Sequence, residues 1–288
     1  MKRILSLAIL AVMAISLCAC AAPAASSVKL TEAKSLADLK GAKIASQPGT
    51  FHQQAVAQIE GVVASTYPDF TDLLIALQSG AIDGYVAEEP TALSVCLTDP
   101  NLTYVPLKNN STGFTTTPAD VGIAVGVIKG SELRESINAV LATLDTATRK
   151  ELMEKAIRAA AGEAVDDFTL GETDRADGPV LRVAMECAYQ PFNWTRLEQG
   201  ANTVPIQGEG KSGTYADGYD VQVARYVAAK LGRKLEIYAM EWDSLIPAVQ
   251  SGAVDAIVAG MSPTAERAQE IDFTDCYYES DLVVVIRK

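Results

Sequence analysis

The chain has 288 residues, 49% of them hydrophobic and 21% charged, a globular composition with room for about two domains. Its formal net charge of −12, with no basic cluster beyond the first residues, argues against a nucleic-acid partner. A single His and the lack of any Cys-x-x-Cys argue against a zinc centre, so neither metal nor cofactor is expected.

Lys2 and Arg3 precede an apolar run over residues 4–17, too short to span a bilayer and suited to the core of a signal peptide. It closes on Leu17-Cys18-Ala19-Cys20, which resembles the lipobox of bacterial lipoproteins. Cys20 fits the acylated position, because the residue before it is small. Residues 1–20 are therefore read as a lipoprotein signal peptide and 21–29 as a membrane tether. Removing Lys2 and Arg3 leaves 22 basic against 36 acidic residues. Cys96, Cys187 and Cys276 then remain, an odd number that allows one disulfide at most. Cys187 with Cys276 is the better pair, since both lie in the second half.

In chain order, SLADLKG (residues 35–41) reads as a short helix with its stop, AKIAS as a strand, and QPGTF (47–51) as a turn into a helix over 51–59. Residues 73–87, LLIALQSGAIDGYVA, recur 172 positions later as LIPAVQSGAVDAIVA at 245–259. Each copy predicts a helix stopped at Gly80 or Gly252, then a strand. Further strands are expected near residues 102–107 and 121–127. Leu133, Ile137, Val140, Leu141 and Leu144 lie at helical spacing, and Thr148 with Glu151 reads as the capping box of a second helix. The acidic, Gly-rich stretch 161–179 reads as a linker. LRVAM (181–185) begins a fresh α/β domain, with an irregular loop over 195–218, a helix over 219–231 and the strand LEIYAM. Asp243 is placed to cap the second repeat helix, and LVVVIRK closes the chain as a strand.

Strands alternating with helices, present twice, predict two similar α/β lobes with a cleft between them. The two copies lead into different chemistry. After the second come Gly260, Ser262, Pro263 and Arg267, which read as an N-capped helix start with a guanidinium one turn inside, suited to an anion. After the first come Glu88 and Glu89, suited to a cation. Facing each other across a cleft, these suit a zwitterion bearing a carboxylate and an ammonium. Tyr189, Phe192, Trp194 and Trp242 lie near strand ends, where aromatic rings can wall a pocket.

The segments AYQPFNW, GYDVQVARYVAAKLG, EWDSLIPAVQSG, DAIVAGMSPTAERAQEIDFTDCYYESDLVVVIRK, SLADLKG and AVGVIKGSELRESIN resemble the solute-binding proteins of polar amino-acid ABC importers. The resemblance covers nearly all of the chain beyond about residue 29. It implies a two-lobed, hinge-linked periplasmic-binding-protein-like fold of type 2. It makes Arg267 the clamp for an α-carboxylate, helped by Ser262, by backbone near Gly260 and by Thr50 of the opposite lobe. Glu88 falls where the family places an acid, usually Asp, for the α-ammonium. Tyr189 and Trp242 fall where the ligand side chain is sandwiched, and Glu186, Phe51 and His52 where selectivity is often set.

The order of the segments departs from the family, whose AYQPFNW-to-LVVVIRK part comes first. This reads as a circular permutation, with lobe 2 at residues 30–128, helices packing on lobe 1 at 129–160, the linker at 161–179 and lobe 1 at 180–288. A permuted chain of this kind is expected to cross the hinge once, and a monomer and a domain-swapped dimer satisfy it equally. The function implied is capture of a free amino acid by a lipid-anchored, extracytoplasmic protein that delivers it to an ABC permease, without catalysis. The alternatives are an enzyme of the cyclohexadienyl dehydratase type on the same fold, with Glu186 or Glu88 as proton donor, or a ligand sensor.

Overall fold

In the computed structural model, which describes residues 29–165, 170, 175 and 177–288, the two repeat copies build equivalent helix–strand units in two different sheets. The signal peptide, Cys20, most of the tether and much of the linker lie outside the described residues. Two 3₁₀ turns, Leu30–Glu32 and Leu36–Leu39, lead into β1 (Lys43–Ser46), α1 (Phe51–Val56) and β2 (Val63–Thr66). The first repeat copy spans α2 (Phe70–Ser79) and β3 (Gly84–Glu88). The Asp69 carboxylate accepts from the Asp72 N–H at the start of α2, and Gly80 ends it at φ 81°, a left-handed conformation that costs glycine little. Then come α3 (Glu89–Thr98) and β4 (Leu102–Val105).

The chain next runs through α4 (Pro118–Val121), β5 (Gly122–Ile123) and β6 (Gly126–Val127) into the second lobe, adding α5 (Leu133–Leu141) and α6 (Thr146–Ala160). Beyond these lie β7 (Val180–Met185), β8 (Ala188–Tyr189), β9 (Asn193–Arg196), β10 (Val204–Gln207), β11 (Tyr215–Asp217), α7 (Tyr219–Lys230) and β12 (Lys234–Ala239). The second repeat copy holds α8 (Leu245–Gln250) and β13 (Ala256–Ile257), and α9 (Arg267–Glu270), β14 (Asp272–Phe273), β15 (Tyr278–Glu279) and β16 (Leu282–Arg287) close the chain.

The first sheet runs β2-β1-β3-β16-β4 and the second β14-β6-β13-β7-β12-β10-β11-β9-β8, which gives the two-lobed α/β fold. In both, the repeat's Asp performs the same closure. Asp83 Oδ2 accepts from the Lys43 N–H at 2.9 Å, and Asp255 Oδ2 from the Arg182 N–H at 2.8 Å. The first strand of each lobe is thereby tied to its repeat strand. Alternation along β16 sends Val283 and Val285 to the α2/α3 face and Leu282, Val284 and Ile286 to the α1 face.

Several expectations change. The closing strand, placed with residues 180–288, lies instead inside the first sheet, where β16 pairs antiparallel with both β3 and β4. The described chain therefore crosses between the lobes twice. The crossings pair with each other, Tyr278 opposite Ile123 and Glu279 opposite Gly122. Residues 129–160 do not serve one lobe alone: α5 packs on α7, whereas α6 packs on both α3 and α7. The stretch 195–218 contains β10 and β11, an antiparallel extension of the second sheet. Asp145, not Thr148, caps α6, its carboxylate accepting from the Thr148 N–H at 2.7 Å. Asp243 makes no cap, because a 3₁₀ turn at Trp242–Ser244 precedes α8. Cys187 and Cys276 are free thiols: Cys187 is buried beside Tyr189, while Cys276 lies against Gly122 at the crossing.

Gly218, at φ 127°, lets α7 start directly under β9; a Cβ there would press into the Phe192 carbonyl and sit 2.8 Å from the Trp194 ring. Gly218→Ala is expected to lower stability by about 2 kcal/mol or more, read from the urea midpoint.

Candidate ligand site between the lobes

The two sheets present their repeat strands to a shared seam, and side chains from both line a small, partly enclosed cavity there. Its walls include Thr50, His52, Phe70 and Glu88 from the first lobe and Tyr189, Trp242, Ser262 and Arg267 from the second. Turn geometry brings them in. Gly260 takes φ 62° after β13, and a Cβ on it would stand 2.9 Å from the Tyr189 ring, so the glycine lets that ring close down. Gly49, at φ 68°, turns its carbonyl across the seam.

Arg267 is buried on the second lobe. Its Nη1 donates to the Ser262 carbonyl at 2.9 Å and its Nη2 to the Gly49 carbonyl of the opposite lobe at 2.7 Å. The guanidinium lies 5.1 Å from the Trp242 ring centroid, a cation–π arrangement. Burial pulls its pKa down to about 10, opposed by Glu266 and Glu88, so the group stays charged at neutral pH. The expected helix start at Ser262 is corrected: residues 261–264 stay irregular and the helical turn begins only at Arg267. The Ser262 carbonyl accepts from Arg267's side chain instead of from a backbone N–H. The anion-binding potential thus resides in the guanidinium rather than in a helix terminus. Two of its five N–H donors go to carbonyls in these bonds.

On the first lobe, Glu88 ends β3 at 3% exposure, and its Oε1 lies 3.1 Å from His52 Nε2. His52 meets the Phe70 ring edge-on, with centroids 5.7 Å apart. Thr50 donates its hydroxyl to the Gln47 carbonyl at 2.8 Å, and Phe51 packs into the core beneath α1. Across the seam Phe70 stacks on Tyr189, centroids 4.0 Å apart and planes at 18°. Gln47 Nε2 donates to Glu186 Oε1 at 2.5 Å. Burial pushes the Glu186 carboxyl up to about 8, against the lowering effect of Gln47 and with Asp69, Glu241 and Asp243 adding to the rise.

Every residue read as ligand-binding from the sequence falls at this seam or directly beneath it. Two of the four aromatics do not line it. Phe192 is fully buried behind Tyr189, and Trp194 lines a neighbouring groove with Thr91 and Cys187. The sequence reading missed Gln47 and Phe70, and the repeat itself carries the signal for Phe70. At the offset of 172, Phe70 corresponds to Trp242. Likewise β1 and β7 place Gln47 and Glu186 each one residue beyond the equivalent strand residues Ser46 and Met185.

Among the described residues, the buried side-chain atoms without a hydrogen-bond partner are His52 Nδ1, Glu88 Oε2, Thr91 Oγ1, Glu186 Oε2 and Tyr189 OH. His52, Glu88 and Tyr189 line the cavity, and Glu186 joins its wall through Gln47. Desolvated polar atoms cost free energy when left unpaired, so their concentration at one seam marks a surface built to meet a polar partner.

Residues 181–288 match the profile of the bacterial extracellular solute-binding proteins, family 3. Through that stretch the chain is similar to those proteins. It is 40% identical over 80 residues to the arginine-binding extracellular protein ArtP of Bacillus subtilis, covering 28% of this chain and 31% of that one. A probable histidine-binding protein of Neisseria gonorrhoeae is 32% identical over 111 residues, 38% of this chain and 36% of its own. Among solved structures, an ancestral arginine-binding protein bound to arginine aligns at 35% identity and a TM-score of 0.28 over 35% of this chain and 38% of that one. The chain spans about a third of the length of these curated relatives.

The pKa of Glu186 carries a stability consequence. Unfolded, its carboxyl protonates near 4.5; folded, near 8, so the folded state holds the proton more tightly and stability falls as pH rises through that window. Glu186→Gln removes the titration, and its Tm advantage over the parent is expected to grow between pH 5 and pH 8.5, measured by calorimetry.

Proposed function

We propose that the protein is an extracytoplasmic receptor that captures a free amino acid between its lobes and passes it to the permease of an ABC importer. The observation that carries this reading is that unpaired buried polar atoms of His52 and Glu88 on the first lobe and Tyr189 on the second share one cavity with Arg267. Arg267 takes the α-carboxylate, with the Ser262 region and Thr50 beside it. Glu88 Oε2 takes the α-ammonium, and His52 holds the other carboxylate oxygen so that the longer Glu side chain keeps a defined aim. Tyr189, Trp242 and Phe70 wall the ligand side chain. Glu186, among Asp69, Glu241 and Asp243, favours a side chain that donates hydrogen bonds, basic or amide. Binding to both lobes favours the closed arrangement by its differential affinity.

The reading includes a lipid anchor at Cys20 and a circular permutation of the family's order. The turn Leu30–Glu32 packs against β4 and β16 of the first lobe, and the N–H of Lys288, directly after β16, donates to the Asn101 carbonyl beside β4. These contacts support the permuted reading, because joining neighbouring points of one sheet leaves a fold's contacts intact.

A thermal-shift screen of the twenty amino acids tests the central claim: a bound amino acid raises Tm with concentration. Arg267→Lys, which keeps the charge but loses the planar fork, is expected to weaken binding by about tenfold or more. No shift with any amino acid would sink the reading, and turnover of prephenate or arogenate would assign the dehydratase activity instead. For the anchor, Cys20→Ser is expected to move the protein from the membrane fraction to the soluble extracytoplasmic fraction and to abolish fatty-acid labelling.

A further inference from the structure

Beneath the site, outside the ligand cavity, lies a fully buried carboxylate that the capture scheme does not use. Asp220, in the first turn of α7, has no exposed surface. Its Oδ1 accepts from the Tyr277 hydroxyl at 2.7 Å and its Oδ2 from Asn193 Nδ2 at 2.8 Å. The Gly260 backbone N–H exerts a further pull that helps keep it ionised. The two donors belong to different parts of the fold. Asn193 Oδ1 accepts from the Cys187 N–H at 2.7 Å and so shapes the turn that carries Glu186 and Tyr189. Gly260 begins the turn that carries Ser262 and Arg267. Tyr277 precedes β15, one of the two strands crossing between the lobes, and its N–H donates to the Ile123 carbonyl of the other.

The geometry points to Asp220 as a positioning residue for ligand capture, whose single carboxylate ties the turn carrying Glu186 and Tyr189 to the inter-lobe crossing so that they shift together. This inference rests on the proposed function for its consequence, not for its geometry. A fully buried carboxylate held by two side-chain donors is cut off from bulk solvent, so loosening one bond weakens the hold on the other. The titratable groups around it are Tyr219 on its own helix, Tyr277 before β15, Cys187 in the Tyr189 turn and Glu88 on β3. Burial holds both tyrosines and the thiol in their neutral forms well above neutral pH. Burial also lifts Asp220 to about 6, with Tyr277, Asn193 and Gly260 opposing and Glu88 adding to the rise. Below that pH the carboxyl gains a proton, and the bond to the Tyr277 hydroxyl must reverse direction or the bond to Asn193 weaken.

The test uses the whole soluble chain, with two readouts. Without ligand, emission from Trp194 and Trp242 is recorded from pH 7.5 to 5; Trp194 adjoins Asn193, and Trp242 adjoins Arg267. A step near pH 6 is expected, absent in Asp220→Asn. In Tyr277→Phe the step moves to higher pH, because that variant lacks the largest interaction lowering the Asp220 pKa. With the amino acid found by the thermal screen, affinity is expected to fall below the same step by up to about tenfold per pH unit, and Asp220→Asn to flatten that profile. A step that persists unchanged in Asp220→Asn, or stays in place in Tyr277→Phe, overturns the inference. If no amino acid binds, the capture reading fails while the emission titration still decides the role of Asp220.

Discussion

The structure turns on a ladder of two residues in each strand. Where β5 and β15 cross between the lobes they pair antiparallel, Ile123 with Tyr278 and Gly122 with Glu279. Each lobe has its own sheet, so relative motion must be absorbed along these two segments, while their pairing restricts twisting of one against the other. Gly122 has no side chain because Cys276 and the Pro118 carbonyl already occupy the space where a Cβ would go. Such a crossing permits bending about one axis while the seam residues approach and separate as two faces.

The seam is also where the molecule concentrates electrostatic cost. Arg267, Glu88, Glu186 and Asp220 are all buried or half-buried, and burial is the largest cause of the shifts at Arg267, Glu186 and Asp220. Asp69, Glu241 and Asp243 stand close enough to raise the Glu186 pKa further. The opposing lobes thus bring together groups that would each be better hydrated apart, and cross-seam bonds such as Gln47 to Glu186 only partly offset that. A zwitterion with a donor-rich side chain supplies complementary groups to both faces at once.

Much of this was legible in the residues because the relevant interactions are local. The repeat predicted both helix–strand units, and Gly80 and Gly252 stop their helices with φ 81° and 74°. Glu88 ends β3, Tyr189 lies in β8 and Arg267 begins the turn after β13, so the repeat pointed to Glu88 and Arg267 and the family resemblance gave Tyr189 its place beside the ligand. Where the reading erred, partners came from far along the chain. The interior place of β16 depends on pairing with strands about 180 to 200 residues earlier, which no local pattern encodes. The Ser262 helix start failed because a side chain five residues on took the carbonyl a helix would have used. Phe70 was missed although the internal duplication places it opposite Trp242, since only the three-dimensional fold shows it stacked on Tyr189.

The place of β16 bears on how the molecule is made as well as on how it stands. The lobe encoded first has a gap between β3 and β4 that only residues 282–287 fill, and Arg287 there also caps α2 by donating to the carbonyls of Leu77 and Ile82. A chain synthesised or exported from its N-terminus therefore holds two unpaired strand edges until residues 282–287 emerge. The second lobe, whose central parallel strands lie within residues 180–257, can assemble earlier. The waiting edges of β3 and β4 are the point at which a nascent chain is most open to pairing with another copy.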